Sequence, residues 1–191
     1  MVKPSVISNQ TMCLFTNELK LHSSGCRLYS KDDARRYYYY KNISEVNNGK
    51  KATVIMINPS EQHINEELPD NTINNLYEIL KETKNVPFSS FEIVNLYSTR
   101  NSKPRVVIKE QVEELNRKIL KEVIEKAEIV IPAWGTEEKF NDCTDVKALL
   151  KEIKEWCKNK VVLVVTNKYP CHFSVQCTSI NRNPEFVEYK F

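Results

Sequence analysis

The sequence predicts an α/β fold, a three-layer sandwich with helices on both faces of a central, mainly parallel sheet of four strands. Three observations carry that expectation. Four short runs are predominantly apolar, as in strands covered on both faces. The stretches between them repeat apolar residues at helical spacing. Strand and helix alternate, which is the order of parallel strands joined by crossover helices.

The first run, Ala52 to Ile57, reads as the first core strand, and Phe91 to Leu96, Ile129 to Ala133 and Val161 to Thr166 repeat its character. Pro132 lies near the end of its run, where a missing ladder N–H is easiest to tolerate. Between the first two runs, Ile73, Leu76, Tyr77 and Leu80 mark a helix, with Asp70 or Asn71 available as its N-cap. Ile108, Val112, Leu115, Ile119, Val123 and Ala127 trace one face of a long second helix whose other face is charged. Val146, Leu149, Leu150, Ile153 and Cys157 do the same before the last run. The first 50 residues are less regular. Within them Arg35 to Lys41 reads as a strand with a basic edge near the sheet margin, and Asn47-Asn48-Gly49-Lys50 as a turn into the core. Phe186 to Phe191 is expected to add an extended segment. With 191 residues, no internal repeat and no long linker, residues 1–191 are expected to form a single domain.

Composition narrows the function classes. Hydrophobic residues make up 41% and charged residues 28%, ordinary for a globular chain. With only 3 Gly, neither a GxGxxG turn nor a P-loop can be built. A formal net charge of +3 permits one basic face without requiring it. The 6 cysteines include no CxxC pair, and the 3 histidines complete no zinc spacing, so no metal and no cofactor is expected. Met1-Val2-Lys3-Pro4 opens no signal peptide, so reduced thiols and a cytoplasmic location are expected. No apolar run approaches the roughly 20 residues that span a bilayer, and no membrane role is expected.

In open parallel sheets ligands bind outside the carboxyl ends of the strands. That rule selects four segments. In Asn58-Pro59-Ser60-Glu61 the Asn amide can orient a water or read an amide-like edge, Pro59 fixes the backbone, and Glu61 is a candidate base; the segment also reads as a simple strand-to-loop cap. Asn95 sits in an apolar strand and either reads a ligand or ties down a neighbouring loop, since an unpaired buried amide costs roughly 1–3 kcal/mol. Arg100 follows in a cationic loop suited to phosphates or simply solvated. Trp134-Gly135 combines close backbone approach with an aromatic that belongs to the core or to a ligand platform. Tyr169-Pro170-Cys171-His172-Phe173-Ser174 gathers donors and aromatics, with His172 suited to stabilising an anion or lying exposed, and Cys171 a weaker nucleophile candidate.

Arg36-Tyr37-Tyr38, Ile57-Asn58-Pro59-Ser60, Asp70-Asn71-Thr72-Ile73, Val94-Asn95-Leu96 and Ala133-Trp134-Gly135 together resemble the domain of unknown function 1643 family, over roughly residues 25 to 175. That family's name implies no activity. More distantly, the order of segments is similar to the uracil-DNA glycosylase superfamily. Ile57-Asn58-Pro59-Ser60 resembles the Gly-Ile-Asn-Pro-Gly motif of its mismatch-specific branch, Val94-Asn95-Leu96 the strand whose Asn reads a flipped base, and Trp134-Gly135 its Leu-Trp-Gly segment. Tyr169 to Ser174 lies in register with His-Pro-Ser-Pro-Leu-Ser. Two departures stand out: Met56 replaces the motif's first Gly, and Tyr169 stands where the superfamily has its His.

This second resemblance implies a uracil-DNA glycosylase-like fold and a hydrolase that cleaves the N-glycosidic bond of an unusual or modified base flipped out of double-stranded DNA. It implies that Asn58 and Glu61 hold the attacking water. Asn95, with Tyr169 or His172, would then read and stabilise the departing base. Ser60, Ser174 and Arg100 would clamp phosphates, Pro59 and Trp134 would shape the pocket, and Phe173 would wedge into the stack. Two rival expectations use the same scaffold: a non-catalytic nucleotide- or base-binding protein, and an enzyme on free nucleosides or nucleotides. The modest net charge suits the latter.

Overall fold

The computed structural model describes residues 19–21, 27–43, 49–61, 71–103, 107–108, 110–165, 170–173 and 184–191. The described elements run β1 (Leu19–Leu21), β2 (Arg27–Ser30), β3 (Arg36–Asn42), β4 (Lys50–Met56), α1 (Asn71–Glu82), β5 (Phe88–Asn95), α2 (Glu114–Glu125), β6 (Ile129–Pro132), a 3-10 turn (Glu137–Phe140), α3 (Thr144–Trp156), β7 (Val161–Val165) and β8 (Phe186–Glu188). They build a mixed sheet of eight strands in the order β1-β2-β3-β5-β4-β6-β7-β8.

The four apolar runs become β4, β5, β6 and β7, mutually parallel and contiguous at the centre. Their side chains alternate between two cores. Val54 and Met56 pack with Leu76 and Leu80 of α1, whereas Ile55 packs with Ile119 and Val123 of α2 and with Leu149 and Ile153 of α3. Two covered faces are the reason the strand sequences lack polar alternation. The chain steps from β4 to β5 in one direction and then crosses β4 to reach β6 and β7 in the other. Right-handed crossovers therefore place α1 on one face and α2 with α3 on the other.

The sheet is larger than the four mainly parallel strands expected. Antiparallel pairings add β3, β2 and β1 beyond β5, and β8 beyond β7. The Arg36–Asn42 strand is not marginal either: β3 lies inside the sheet, between β2 and β5. Its tyrosines explain the difference, because Tyr37, Tyr38 and Tyr39 are all buried and supply apolar area to both cores. The tail contributes Phe186–Glu188 alone as regular strand. Of the expected Asn47 to Lys50 turn, residues 47 and 48 lie outside those described, as does Asp70; Asn71 is the first residue of α1.

The second helix also begins later than its apolar spacing predicts, at Glu114 instead of near Ile108. A helix through Ile108 would need its carbonyl for the N–H of residue 112. Here that carbonyl accepts the Tyr97 hydroxyl at 3.1 Å and the Cys143 thiol at 3.1 Å. Glu113 marks the start in extended conformation, and its carboxylate accepts Tyr37 Oη at 3.0 Å and Ser98 Oγ at 2.7 Å, and pairs with Arg35 Nη1 at 2.6 Å. The helix entrance is thereby tied to the start of β3 and the exit of β5.

Candidate functional site

A cavity of about 1330 Å³ lies at the carboxyl ends of β4 and β6. The connection leaving β4 leads to α1 on one face, and that leaving β6 leads to α3 on the other, so this is the topological switch point of the sheet. Helices following parallel strands run back against them, which brings two helix N-termini to the cavity. Thr72 and Ile73 line it from the first turn of α1, and Thr144 and Asp145 from that of α3. Exposed amides in a helix's first turn favour anionic ligands.

The exit of β4 forms one wall, with Met56, Ile57, Asn58 and Ser60. It is zipped to the exit of β5 by a continuing ladder: Leu96 N–H to Met56 O at 2.9 Å, Tyr97 N–H to Ile57 O at 2.8 Å and Asn101 N–H to Pro59 O at 2.9 Å. Asn58 is fixed by this ladder. Its Nδ2 donates to Pro59 O at 3.0 Å and to Asn101 O at 2.7 Å. Both amide hydrogens are thereby used, and an inverted amide would lose both bonds. Oδ1, an acceptor, is the polar atom left for a ligand or water.

His172 lines the cavity from beyond β7, and Arg36, buried at the start of β3, lines it from the β5 side. Glu110, Asp142 and Asp145 contribute acidic groups to the same cavity. Lys139 completes it from the 3-10 turn after β6. Its ammonium donates to the Trp134 carbonyl and sits 5.3 Å from the Phe140 ring centroid. Burial lowers its pKa from 10.5 to about 8. Cys143 also reaches the cavity, its thiol donating to Ile108 O. Cys157, by contrast, is a core thiol whose pKa burial pushes up to about 12. Among the described residues no three His, Cys, Asp or Glu side chains are grouped to hold a metal ion. No helix among them is long and apolar enough to cross a membrane.

The structure thus brings Asn58, Ser60 and His172 to one cavity and places the other expected site residues around it. Pro59 is buried and shapes the ladder through its carbonyl. Glu61 is exposed and outside the cavity lining, and its backbone carbonyl accepts Arg100 Nη2 at 3.0 Å. Arg100 also donates from Nη1 to Asp33 O at 2.7 Å, so its guanidinium straps two loops together. Asn95 is 1% exposed; it is the cross-strand partner of Met56 and sits one strand behind the cavity wall. Neither polar atom of its side chain finds a partner among the described residues.

Trp134 is fully buried and stacks on Phe191 at 6.1 Å between centroids and 5° between planes. Phe173, expected as a wedge, is instead a core residue at 1% exposure, packed on the α1 face. Its carbonyl accepts Asn75 Nδ2 at 3.3 Å. Tyr169 and Ser174 lie outside the described residues.

Sequence reasoning missed the helix entries, namely Thr72, Thr144 and Asp145, together with Lys139. The signal was present: a helix running back along its strand must begin where the strand ends, so the switch-point rule extends from strand exits to helix starts. Arg36 was quoted as part of a strand, but the antiparallel direction that brings it to the carboxyl end of β5 is a property of the sheet.

No curated protein and no solved structure matches the chain, and nothing among these comparisons supports the likeness to the uracil-DNA glycosylase superfamily. A family model described as "Protein of unknown function (DUF1643)" matches residues 36–172, from the buried arginine of β3 to the histidine of the cavity. Spanning well over half of the sequence, that match shows that the chain belongs to the DUF1643 family.

Proposed function

We propose that the switch-point cavity binds a nucleoside or nucleotide and hydrolyses its N-glycosidic bond, with Asn58 holding the attacking water. The observation that carries this reading is the fixed amide of Asn58, whose two donor bonds leave Oδ1 as an acceptor on the cavity wall. A water donating to that oxygen turns a lone pair outward, toward the anomeric carbon of a ribosyl group in the cavity. Charge develops on the departing base, where His172 supplies a donor. A phosphate would find the first turn of α1, which carries no acidic residue, and the Arg36 guanidinium.

A free nucleotide suits this cavity better than duplex DNA. Glu110, Asp142 and Asp145 share the lining, a poor environment for a polyanionic backbone. The residues that would grip a duplex are otherwise engaged, Phe173 in the core and Arg100 in loop strapping. The ordered sequence segments favour a DNA glycosylase as the second reading.

Release of free base from a panel of nucleosides, nucleotides and uracil-containing or modified DNA tests the proposal. Asn58→Ala is expected to lower turnover by about 10²–10³-fold, as losing one preorganised polar contact does. Undiminished turnover in that variant would sink the assignment. Activity confined to DNA, with a steep negative dependence on salt, would establish the second reading instead.

A further inference from the structure

The loop between β6 and α3 carries an amine that the hydrolytic reading does not use. Lys139 Nζ lies on the cavity lining, donates to the Trp134 carbonyl and has no carboxylate partner among the described residues. Beside it lies Gly135, whose φ is +79° and where a Cβ would come within 2.6 Å of Nζ. The backbone thus bends in a conformation suited to glycine, and the vacated space receives the lysine nitrogen. Along α2, Lys118, Lys121 and Lys126 are each paired with a carboxylate. Lys139 is placed at a cavity and held by a neutral acceptor, which leaves the nitrogen lone pair available whenever the amine is deprotonated.

We propose that Lys139 is a nucleophilic amine that condenses with the aldehyde of an open-chain pentose to form an imine in the cavity. This rests on the proposed hydrolysis as the source of the aldehyde, because the anomeric carbon of a released pentose opens to one. The lone pair of the neutral amine attacks the aldehyde carbon and forms the C–N bond. The carbonyl π pair moves to oxygen, which takes up a proton and gives a carbinolamine. That hydroxyl then leaves as water as the remaining Nζ hydrogen is lost and the C=N bond forms. One amine and one aldehyde give one imine and one water, with no change of oxidation state. An amine with the lowered pKa of Lys139 is about half neutral at pH 8, whereas an ordinary lysine is neutral to roughly one part in 300.

Ribose 5-phosphate with sodium cyanoborohydride, which reduces an imine to a stable secondary amine, provides the test on the full chain at pH 8. Supplying the aldehyde directly makes the result independent of base release. Peptide mapping of the wild type is expected to show labelling at Lys139 about tenfold faster than at exposed Lys121, once weaker nucleophilicity at lower pKa offsets part of the gain in neutral fraction. Lys139→Arg is expected to lose the preferred adduct. Labelling of Lys139 no faster than Lys121 in the wild type would overturn the inference, whatever the folding of the variants. Base release without preferential labelling would refute the imine alone. Preferential labelling without base release would support the imine and refute only the hydrolysis.

Discussion

Two buried residues show how single side chains hold the region behind the cavity. Asn116 on α2 is 1% exposed and donates from Nδ2 to Asn95 O at 2.9 Å and to Leu96 O at 3.0 Å. Those carbonyls lie at the end of β5, where the ladder runs out. Asn116→Leu, which keeps the volume and removes both donors, is expected to lower stability by about 2 kcal/mol in urea denaturation. A neutral result would mean the carbonyls find other donors.

Lys139 makes a prediction of a different sign. Its pKa is lower in the fold, about 8, than its ordinary 10.5, so the native state disfavours the charged amine. The unfolded chain then binds more protons between those values, and native stability rises as pH climbs through that window. Arg36, His172, Glu110, Asp142 and Asp145 share the cavity with Lys139. The stability of the wild type relative to Lys139→Met is therefore expected to increase from pH 7.5 to pH 10 in denaturant titrations. A flat difference would show an amine with ordinary titration.

At the scale of elements, β5 is held to its neighbours by a charge as well as by apolar contact. Glu92, fully buried in mid-strand, accepts Tyr38 Oη of β3 at 2.9 Å and Thr53 Oγ1 of β4 at 2.6 Å, and pairs with Lys51 Nζ of β4 at 3.1 Å. Three strands thus converge on one carboxylate. Removing one partner of a buried ion pair leaves the other uncompensated, and Lys51→Met is expected to cost about 3 kcal/mol in equilibrium unfolding. A loss under about 1 kcal/mol would mean that Tyr38 and Thr53 suffice. The start of α2 belongs to the same scale. Ile108 and Val112 continue the apolar period of that helix, so periodicity extends it too far toward its N-terminus. Tyr97 and Cys143 take the Ile108 carbonyl, and neither lies near it in sequence.

At the scale of the whole molecule, β8 is the strand that closes the β7 edge of the sheet. Phe186 packs edge-on against Phe88 at 5.3 Å, and Asn85 holds its backbone through Nδ2 to O at 2.6 Å and N–H to Oδ1 at 3.2 Å. Ending the chain after residue 183 would expose β7 as an apolar edge. Such edges template association. The shortened chain is expected to melt at lower temperature and to elute as larger species in size-exclusion chromatography. A monomer with unchanged melting would show that β8 contributes nothing to closing the sheet.

The same scale separates what is local from what is not. The central parallel strands and the cores of their helices were legible because burial on two faces writes itself into apolar runs and helical spacing. The strand exits were legible for the same reason, and with them Asn58, Ser60 and His172 as groups near one cavity. The segments of β3 and β8 were also legible as extended, but their pairings were not, because partners such as β2 with β3, or β7 with β8, are chosen by contacts between segments that local pattern does not connect. The positions of Arg36 and Lys139 at the cavity, the burial of Phe173 and the strapping role of Arg100 followed only from the assembled sheet. A side chain's type sets which bonds it can make; the three-dimensional neighbourhood decides which of them are already taken.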